Sequence, residues 1–134
     1  MAKARLVIER LGRTVLGGRI PRPAGFPEGT IPADLVLREG RLVPWIGGML
    51  AGMKGPAAAV TLGRTIIVDP ATPLSGRLLA HELVHVRQWE RDRLFPLRYA
   101  LATLRHGYRD NPYEIEAREV EAFAARSLTG EETS

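Results

Sequence analysis

The nine residues LLAHELVHV, at positions 78–86, constrain the fold more than any other part of the chain. Arranged as a helix, they are apolar on nearly every side except at their ionisable residues. A helix at a protein surface has one apolar stripe, whereas a helix that is apolar all round is buried. We therefore predict that a motif helix, from Pro73 or Ser75 to about Arg93, is the most buried helix of the protein. A chain of 134 residues can enclose it in one modest core and is too short for two domains.

The segments that flank the motif helix predict an α+β fold. Residues 60–68 read VTL-GR-TIIV, which is typical of a β-hairpin with a two-residue turn. After the motif helix, Pro96 begins a second helix that runs over 97–104. Asn111-Pro112 begins a third, because Asn favours the N-cap and Pro the first helical position. We expect a single domain of residues 1–134, with a small N-terminal β-sheet that includes the hairpin, then the motif helix and two further C-terminal helices.

The N-terminal half of the chain gives weaker signals. The pattern allows a strand or short helix around Leu6–Ile8, then a turn at Gly17-Gly18. Four prolines and nearby glycines predict an ordered loop or arm over 21–34. Strands are predicted at Asp34–Leu37 and Arg41–Trp45, and GGMLAGMKGP, residues 47–56, is interpreted as a flexible apolar loop. At the other end, Gly130 is a natural helix stop, and we expect residues 130–134 to form a frayed tail.

Composition and charge limit the classes of partner. The chain has no cysteine, so a metal site must use nitrogen and oxygen ligands. The N-terminal apolar run is too short for a secretory signal, and no segment approaches the length of a membrane span, so we expect a cytoplasmic protein with no membrane partner. The net charge of +4 comes from scattered arginines with interleaved acids, and we expect no nucleic-acid partner.

The motif helix carries the pattern His-Glu-x-x-His. His81 and His85 are one helical turn apart on the same face, so both imidazoles can reach one tetrahedral zinc ion. Glu82 lies about 100° round the helix from His81. From there its carboxylate can hydrogen-bond a zinc-bound water rather than the zinc itself. The residues predict a hydrolytic site in which Glu82 removes the proton of the water and passes it to a leaving amine.

A catalytic zinc needs a third protein ligand and an open fourth position. Glu90 and Asp92 lie on the motif helix itself, too close to fold back, and no histidine occupies position 91. The third helix offers Glu114 and Glu116, which flank its apolar stripe on opposite sides, so the helical pattern does not choose between them. Glu114 has a second interpretation as the N3 residue of a capping box behind the Asn at position 111.

The stretches HELVHVRQW and NPYEIEA resemble the gluzincins, zinc peptidases with two motif histidines and a glutamate from a later helix. The resemblance covers roughly Ala57 to Ala125. It is strongest to the one-domain minigluzincins and to a peptidase-like domain associated with contractile injection systems. It implies a minimal zincin-like fold, Zn²⁺ as cofactor, a peptide or protein substrate, and Glu114 as third ligand. It also implies a Tyr or His that stabilises the oxyanion, for which Tyr108, Tyr113 and His106 are candidates.

Two functions from different classes remain open from the sequence. The first is a small zinc peptidase, which the intact Glu82 favours. The second is a catalytically inert zinc-bound domain with a structural or partner-binding role, because 134 residues leave little room for a substrate-binding subdomain. For the peptidase, we expect an extended peptide to pair with the strand Thr65–Val68. The oligomeric state is open.

Overall fold

The computed structural model describes residues 2–24, 26 and 29–129, the last three by their backbone only. It has an α+β fold in which a small sheet is followed by three helices, as the sequence predicts. The elements are α1 Ala2–Leu16, β1 Gly18–Arg19, β2 Val36–Glu39, α2 Leu42–Leu50, β3 Ala59–Leu62, β4 Thr65–Val68, α3 Gly76–Arg91, α4 Phe95–His106 and α5 Pro112–Thr129. The chain divides into two compact units: Met1–Val60 with Arg64–Thr72, and Thr61–Gly63 with Pro73–Ser134.

The first unit is built around a four-stranded sheet with the order β1-β2-β4-β3. Strands β1 and β2 are antiparallel, and β2 and β4 are parallel with Leu37 opposite Ile66. Leu37 and the Ile66–Val68 run of β4 are buried and form the core of the unit. Gly17 has a φ of 90°, and a Cβ there would lie 2.0 Å from the carbonyl oxygen of Glu39. Only glycine therefore allows the chain to enter β1 so close to β2.

The predicted hairpin is present, and its turn is the Gly63-Arg64 pair with Gly63 at a φ of 63°. The expected docking of a peptide beside Thr65–Val68 is wrong, however. In the sheet order, β4 lies between β2 and β3, so both of its edges are already paired. A further strand can be added only at an edge strand, which β4 is not.

Two predictions for the first unit are wrong, one of them only in part, because tertiary contacts outweigh local pattern. Helix α2 replaces the predicted strand at Arg41–Trp45 and the first four residues of the predicted loop, whereas residues 51–56 form neither helix nor strand, as expected. Pro44 is its third residue, where a missing N–H leaves no intrahelical bond unmade. Gly48 lies in this helix because residues 55–57 cross it, and a Cβ there would be 2.1 Å from the carbonyl oxygen of Gly55. For residues 6–8 the helical alternative is confirmed, and helix α1 extends well beyond them over Ala2–Leu16.

The remaining N-terminal predictions agree with the structure more closely. Between Arg19 and Val36 the described residues form neither helix nor strand, as expected for a Pro-rich loop. Strand β2 is present two residues later than predicted. The expected stop at Gly130 and the tail after it lie outside the described residues.

The second unit contains the motif helix α3, which packs mainly against α5 and also against α4. Helix α3 begins after Ser75, whose side chain accepts a hydrogen bond from the N–H of Leu78. Seven of its residues are buried, more than in any other helix over the described part of the chain. Helix α5 begins as predicted, with the Asn111 Oδ1 accepting from the N–H of Tyr113 at 3.0 Å. None of the helices within the described residues is long and apolar enough to cross a membrane.

Candidate metal centre

Helix α3 and the first turn of α5 bring three ionisable side chains together in the second unit. The Nε2 atoms of His81 and His85 each lie 3.1 Å from a different carboxylate oxygen of Glu114. One ligand atom from each residue lies within 4.8 Å of the other two, which is a group that could hold a metal ion. The side chains are 12%, 8% and 4% exposed, so water competes little for them.

The carboxylate of Glu114 is directed to the histidines rather than to the helix terminus. In a capping box it would accept from the N–H of Asn111, but that N–H donates to the carbonyl oxygen of Tyr108. The alternative candidate, Glu116, has a 43% exposed side chain and pairs with Arg91 at 2.7 Å. The structure therefore brings Glu114 into the cluster and leaves Glu116 outside it.

Each histidine of the cluster is held at its other ring nitrogen. His81 Nδ1 lies 3.1 Å from Glu121 Oε2, and His85 Nδ1 lies 2.7 Å from Gln88 Oε1. Glu121 also accepts from Arg77 at 2.9 Å, and the amide nitrogen of Gln88 donates to the carbonyl oxygen of Tyr113. Partners of this kind fix the tautomer and the ring orientation of metal-binding histidines. They leave both Nε2 atoms facing Glu114.

Sequence analysis missed Glu121, although a signal for it was present. Glu121 lies seven residues, or about two turns, after Glu114, so both carboxylates project from one side of α5. A helix that supplies a ligand to a motif histidine can supply the outer partner at this spacing. The corresponding signal for Gln88 is its position three residues after His85, which is one turn further along α3.

In the metal-free chain, hydrogen bonds and charge couple Glu114 to the two histidines. Burial raises the pKa of Glu114, but the hydrogen bonds from His81, His85 and Tyr99 outweigh it and hold the pKa well below the usual range. Burial lowers the pKa of His85, yet its hydrogen bond to Glu114 and the nearby carboxylate charges raise it to about 9. The pKa of His81 is also raised, with the bond to Glu114 again opposing the effect of burial. Without a metal, His85 therefore keeps its proton at neutral pH beside the ionised Glu114, and a cation must displace that proton.

Two imidazole nitrogens and a carboxylate oxygen form a donor set that fits zinc and other borderline divalent ions. The donors converge from two helices, are nearly dry, and have their outer hydrogen bonds already made. These observations support a metal site at His81, His85 and Glu114. They do not choose among the ions that such ligands accept.

Glu82 lies beside the cluster but does not belong to it. It is 4% exposed, and its Oε2 accepts a hydrogen bond of 2.6 Å from the hydroxyl of Thr61. Burial raises the pKa of Glu82, opposed by the charge of His85 and by the hydrogen bond from Thr61. Thr61 therefore fixes the rotation of this carboxylate.

The tyrosine in closest contact with the cluster is Tyr99, which the sequence analysis did not consider. Its hydroxyl donates to Glu114 Oε1 at 2.7 Å. The pKa of Tyr108 is raised chiefly by burial and by the nearby Glu114 charge, so its hydroxyl keeps its proton. Of the other predicted donors, Tyr113 packs its ring against Phe95 at 5.2 Å, and His106 is exposed at the end of α4.

Comparison with known protein families finds a match to the eCIS core domain over residues 51–93. The abbreviation stands for extracellular contractile injection system, and the match supports an association of the chain with such systems. It covers less than half of the 134 residues and gives no catalytic information. No curated protein and no solved structure matches the chain significantly.

The matched segment includes the His-Glu-x-x-His pattern of α3 but ends before α4 and α5. It therefore contains two members of the cluster, His81 and His85, together with Glu82. Glu114 and its neighbours Tyr99 and Glu121 lie beyond the match, and their place at the cluster rests on the contacts of the structure alone.

Proposed function

We propose that this protein is a zinc-dependent peptidase that works with a contractile injection system. The observation that carries the proposal is the convergence of His81, His85 and Glu114 beside the carboxylate of Glu82. The match to the eCIS core domain supports the association with an injection system. The His-Glu-x-x-His pattern supports peptide hydrolysis as the reaction.

In this proposal His81, His85 and Glu114 hold the ion, with Glu121 and Gln88 orienting the two imidazoles. Zinc would supply Lewis acidity, which makes a water easier to deprotonate and a peptide carbonyl easier to attack. Glu82 accepts the proton of the attacking water and returns it to the amine that leaves. Its buried position suits both steps, because a raised pKa makes a carboxylate a better base and its acid form a usable donor.

Two neighbours of the site would assist this reaction. Thr61 holds Glu82 Oε2 and so keeps the carboxylate in one orientation. Tyr108 remains protonated because its pKa is raised, and it can donate a hydrogen bond to the developing oxyanion. The hydroxyl of Tyr99 already donates to Glu114 Oε1, so Tyr99 would hold this ligand in place rather than contact the oxyanion.

The inert zinc-bound domain remains the second candidate, because the bond between Thr61 and Glu82 is equally compatible with it. A buried glutamate with its own hydrogen-bond partner can have a purely structural role, which would explain its presence without catalysis.

The test is a mixed peptide library digested by the zinc-loaded chain and read by mass spectrometry. Glu82→Gln should keep the zinc, measured by elemental analysis, and reduce cleavage about 10²–10⁴-fold, because it removes the general base alone. Glu90→Gln, on the same helix but exposed, is the matched control and should cleave normally. Equal cleavage by wild type and Glu82→Gln would refute the peptidase. Absence of cleavage by both, with zinc bound, would establish the inert domain.

A further inference from the structure

Helix α1 is a basic amphipathic helix whose apolar side faces solvent. Its apolar residues Ala4, Val7, Ile8, Leu11 and Val15 follow the i, i+3, i+4, i+7 spacing and form one stripe. The large members of this stripe are 44–68% exposed, and no residue of α1 is buried. Only Gly12, which borders the stripe, and Leu16, further round the helix, are partly covered. The fold of the first unit therefore leaves this apolar face open.

Basic residues border the stripe on both sides. On a helical wheel Lys3 and Arg10 lie along one edge, Arg5 along the other, and Arg13 opposite. Residues 1–22 contain six basic residues and one acidic residue, so the positive charge is concentrated here. A helix that faces only water gains nothing from an apolar stripe, and a helix in a protein core does not carry these charges.

Helix α2, which contacts α1 in the same unit, also exposes apolar side chains. It has no charged residue, and Trp45, Met49 and Leu50 are 55%, 55% and 74% exposed. Arg41 precedes the helix and Lys54 follows it. Tryptophan is enriched where an apolar phase meets water, since its ring is apolar and its N–H is polar.

We propose that α1 and α2 form a docking surface for an anionic lipid bilayer, here called the basic amphipathic surface. In this arrangement the stripe of α1 and the side chains of Trp45, Met49 and Leu50 enter the interface between headgroups and acyl chains. The bordering Lys and Arg side chains pair with lipid phosphates. This mode of binding lies on the membrane rather than across it, and over the described part of the chain no helix is both long and apolar enough to span one.

Two other molecules that could bind this surface fit it less well than a bilayer does. A second copy of the chain would bring two sets of the same basic residues together, and like charges oppose that contact. A nucleic acid would satisfy the arginines but would leave the apolar stripe in water. An anionic bilayer is the partner that satisfies both features at once. The proposal does not depend on the metal centre, whose residues belong to the second unit.

The experiment is vesicle flotation of the full chain, with Trp fluorescence as a second measurement. We expect binding to phosphatidylcholine vesicles that contain about 30% phosphatidylglycerol, at least about tenfold weaker binding to phosphatidylcholine alone, and release at about 0.5 M salt. Bound protein should show a blue-shifted emission that is absent from Trp45→Phe.

Two pairs of substitutions separate the apolar from the charged contribution. Ile8→Asn/Leu11→Asn should abolish binding, and Lys3→Glu/Arg10→Glu, at one edge of the stripe, should weaken it at least tenfold, because each basic residue near an anionic surface contributes about fivefold. These side chains are exposed, so circular dichroism should show unchanged helix content. The matched control is Leu104→Asn/Arg105→Glu, an exposed pair on α4, which should bind like the wild type.

Three results would overturn the proposal. The first is no binding to anionic vesicles, or equal binding by the wild type and the Ile8→Asn/Leu11→Asn variant. The second is a dimer in solution that this variant disrupts, since the surface would then be an interface between copies. The third is salt-sensitive binding to duplex DNA that excludes vesicles, which would assign the surface to nucleic acid.

Discussion

At the scale of single residues, the decisive side chain is Glu114. From the sequence it could be a ligand or a helix cap; the helical pattern did not choose between it and Glu116, and only the gluzincin resemblance favoured it. The structure separates the two residues by burial, since one carboxylate is 4% exposed between two histidines and the other is 43% exposed beside Arg91. The difference comes from how α5 is rotated against α3, which no pattern within α5 records.

The two glutamates should therefore differ in their effect on metal content. Glu114→Gln removes a charged donor from the cluster, so we expect the purified variant to contain much less than one zinc per chain after dialysis. Glu116→Gln, its matched control, should contain as much zinc as the wild type. Elemental analysis of both variants measures this. Equal zinc in the two variants would show that Glu114 is not a ligand.

Glu121 should affect metal affinity without being a ligand. Its carboxylate contacts Nδ1 of His81, and removal of such an outer partner typically weakens metal binding about 10–100-fold. We expect Glu121→Ala to lose affinity in that range, measured by competition with a chromophoric chelator. Glu119→Ala, an exposed residue on the same helix, should have no effect. A normal zinc affinity in Glu121→Ala would mean that His81 needs no such support.

At the scale of elements, those predicted well carry their own boundary signals. The hairpin is marked by Gly63, the start of α3 by Ser75, and the start of α5 by Asn111 with Pro112. These residues act on backbone groups within a few positions, so the local sequence is enough to predict where each element begins or turns. Helix α2 was missed because Gly48 serves a close approach of residues 55–57, which is not visible locally.

The cap at Asn111 should matter more than an ordinary one. Its Oδ1 caps α5, while its amide nitrogen donates to Thr103 Oγ1 at 3.0 Å and so ties α5 to α4. The residue is fully buried. We expect Asn111→Ala to lower the free energy of unfolding by more than the ~1 kcal/mol typical of a cap, because buried partners are left unsatisfied.

Ser75→Ala, at the exposed cap of α3, is the comparison and should cost about 1 kcal/mol. Urea unfolding of both variants without metal gives the two values. A smaller loss for Asn111→Ala than for Ser75→Ala would show that the buried bonds to α4 add nothing to stability. Because Asn111 lies three residues before Glu114, we also expect its loss to weaken metal binding.

At the scale of the whole molecule, charge is divided unevenly between the two units. The first unit contains ten basic and five acidic residues, and the second contains nine and ten. The overall net charge of +4 therefore conceals a basic unit and a nearly neutral one. The total net charge gave no sign of this division, although the excess of basic residues over 1–22 is visible in the sequence. The two proposals concern different units: lipid binding is assigned to the basic unit, and the metal centre lies in the nearly neutral one.

The charge of the metal centre also predicts how metal affinity depends on pH. A cation binds the neutral imidazole, whereas the pKa of His85 is raised to about 9 in the metal-free chain and that of His81 is raised as well. Below these pKa values the cation must displace protons, so its apparent affinity falls as the pH falls. Glu114 adds nothing to this dependence, because its lowered pKa keeps it ionised throughout.

We therefore expect zinc affinity to rise steadily between about pH 6 and pH 9 and then to level off. The stability of the metal-free chain should instead fall as the pH rises. The raised pKa of His85 contributes stability that is fully present below about 6.5 and is lost as the pH rises through about 9. Chelator-buffered zinc titrations and thermal unfolding across this range measure the two trends. An affinity that is constant from pH 6 to 9 would mean that Glu114 does not hold protons on the histidines, and the metal centre would lack the charge coupling described above.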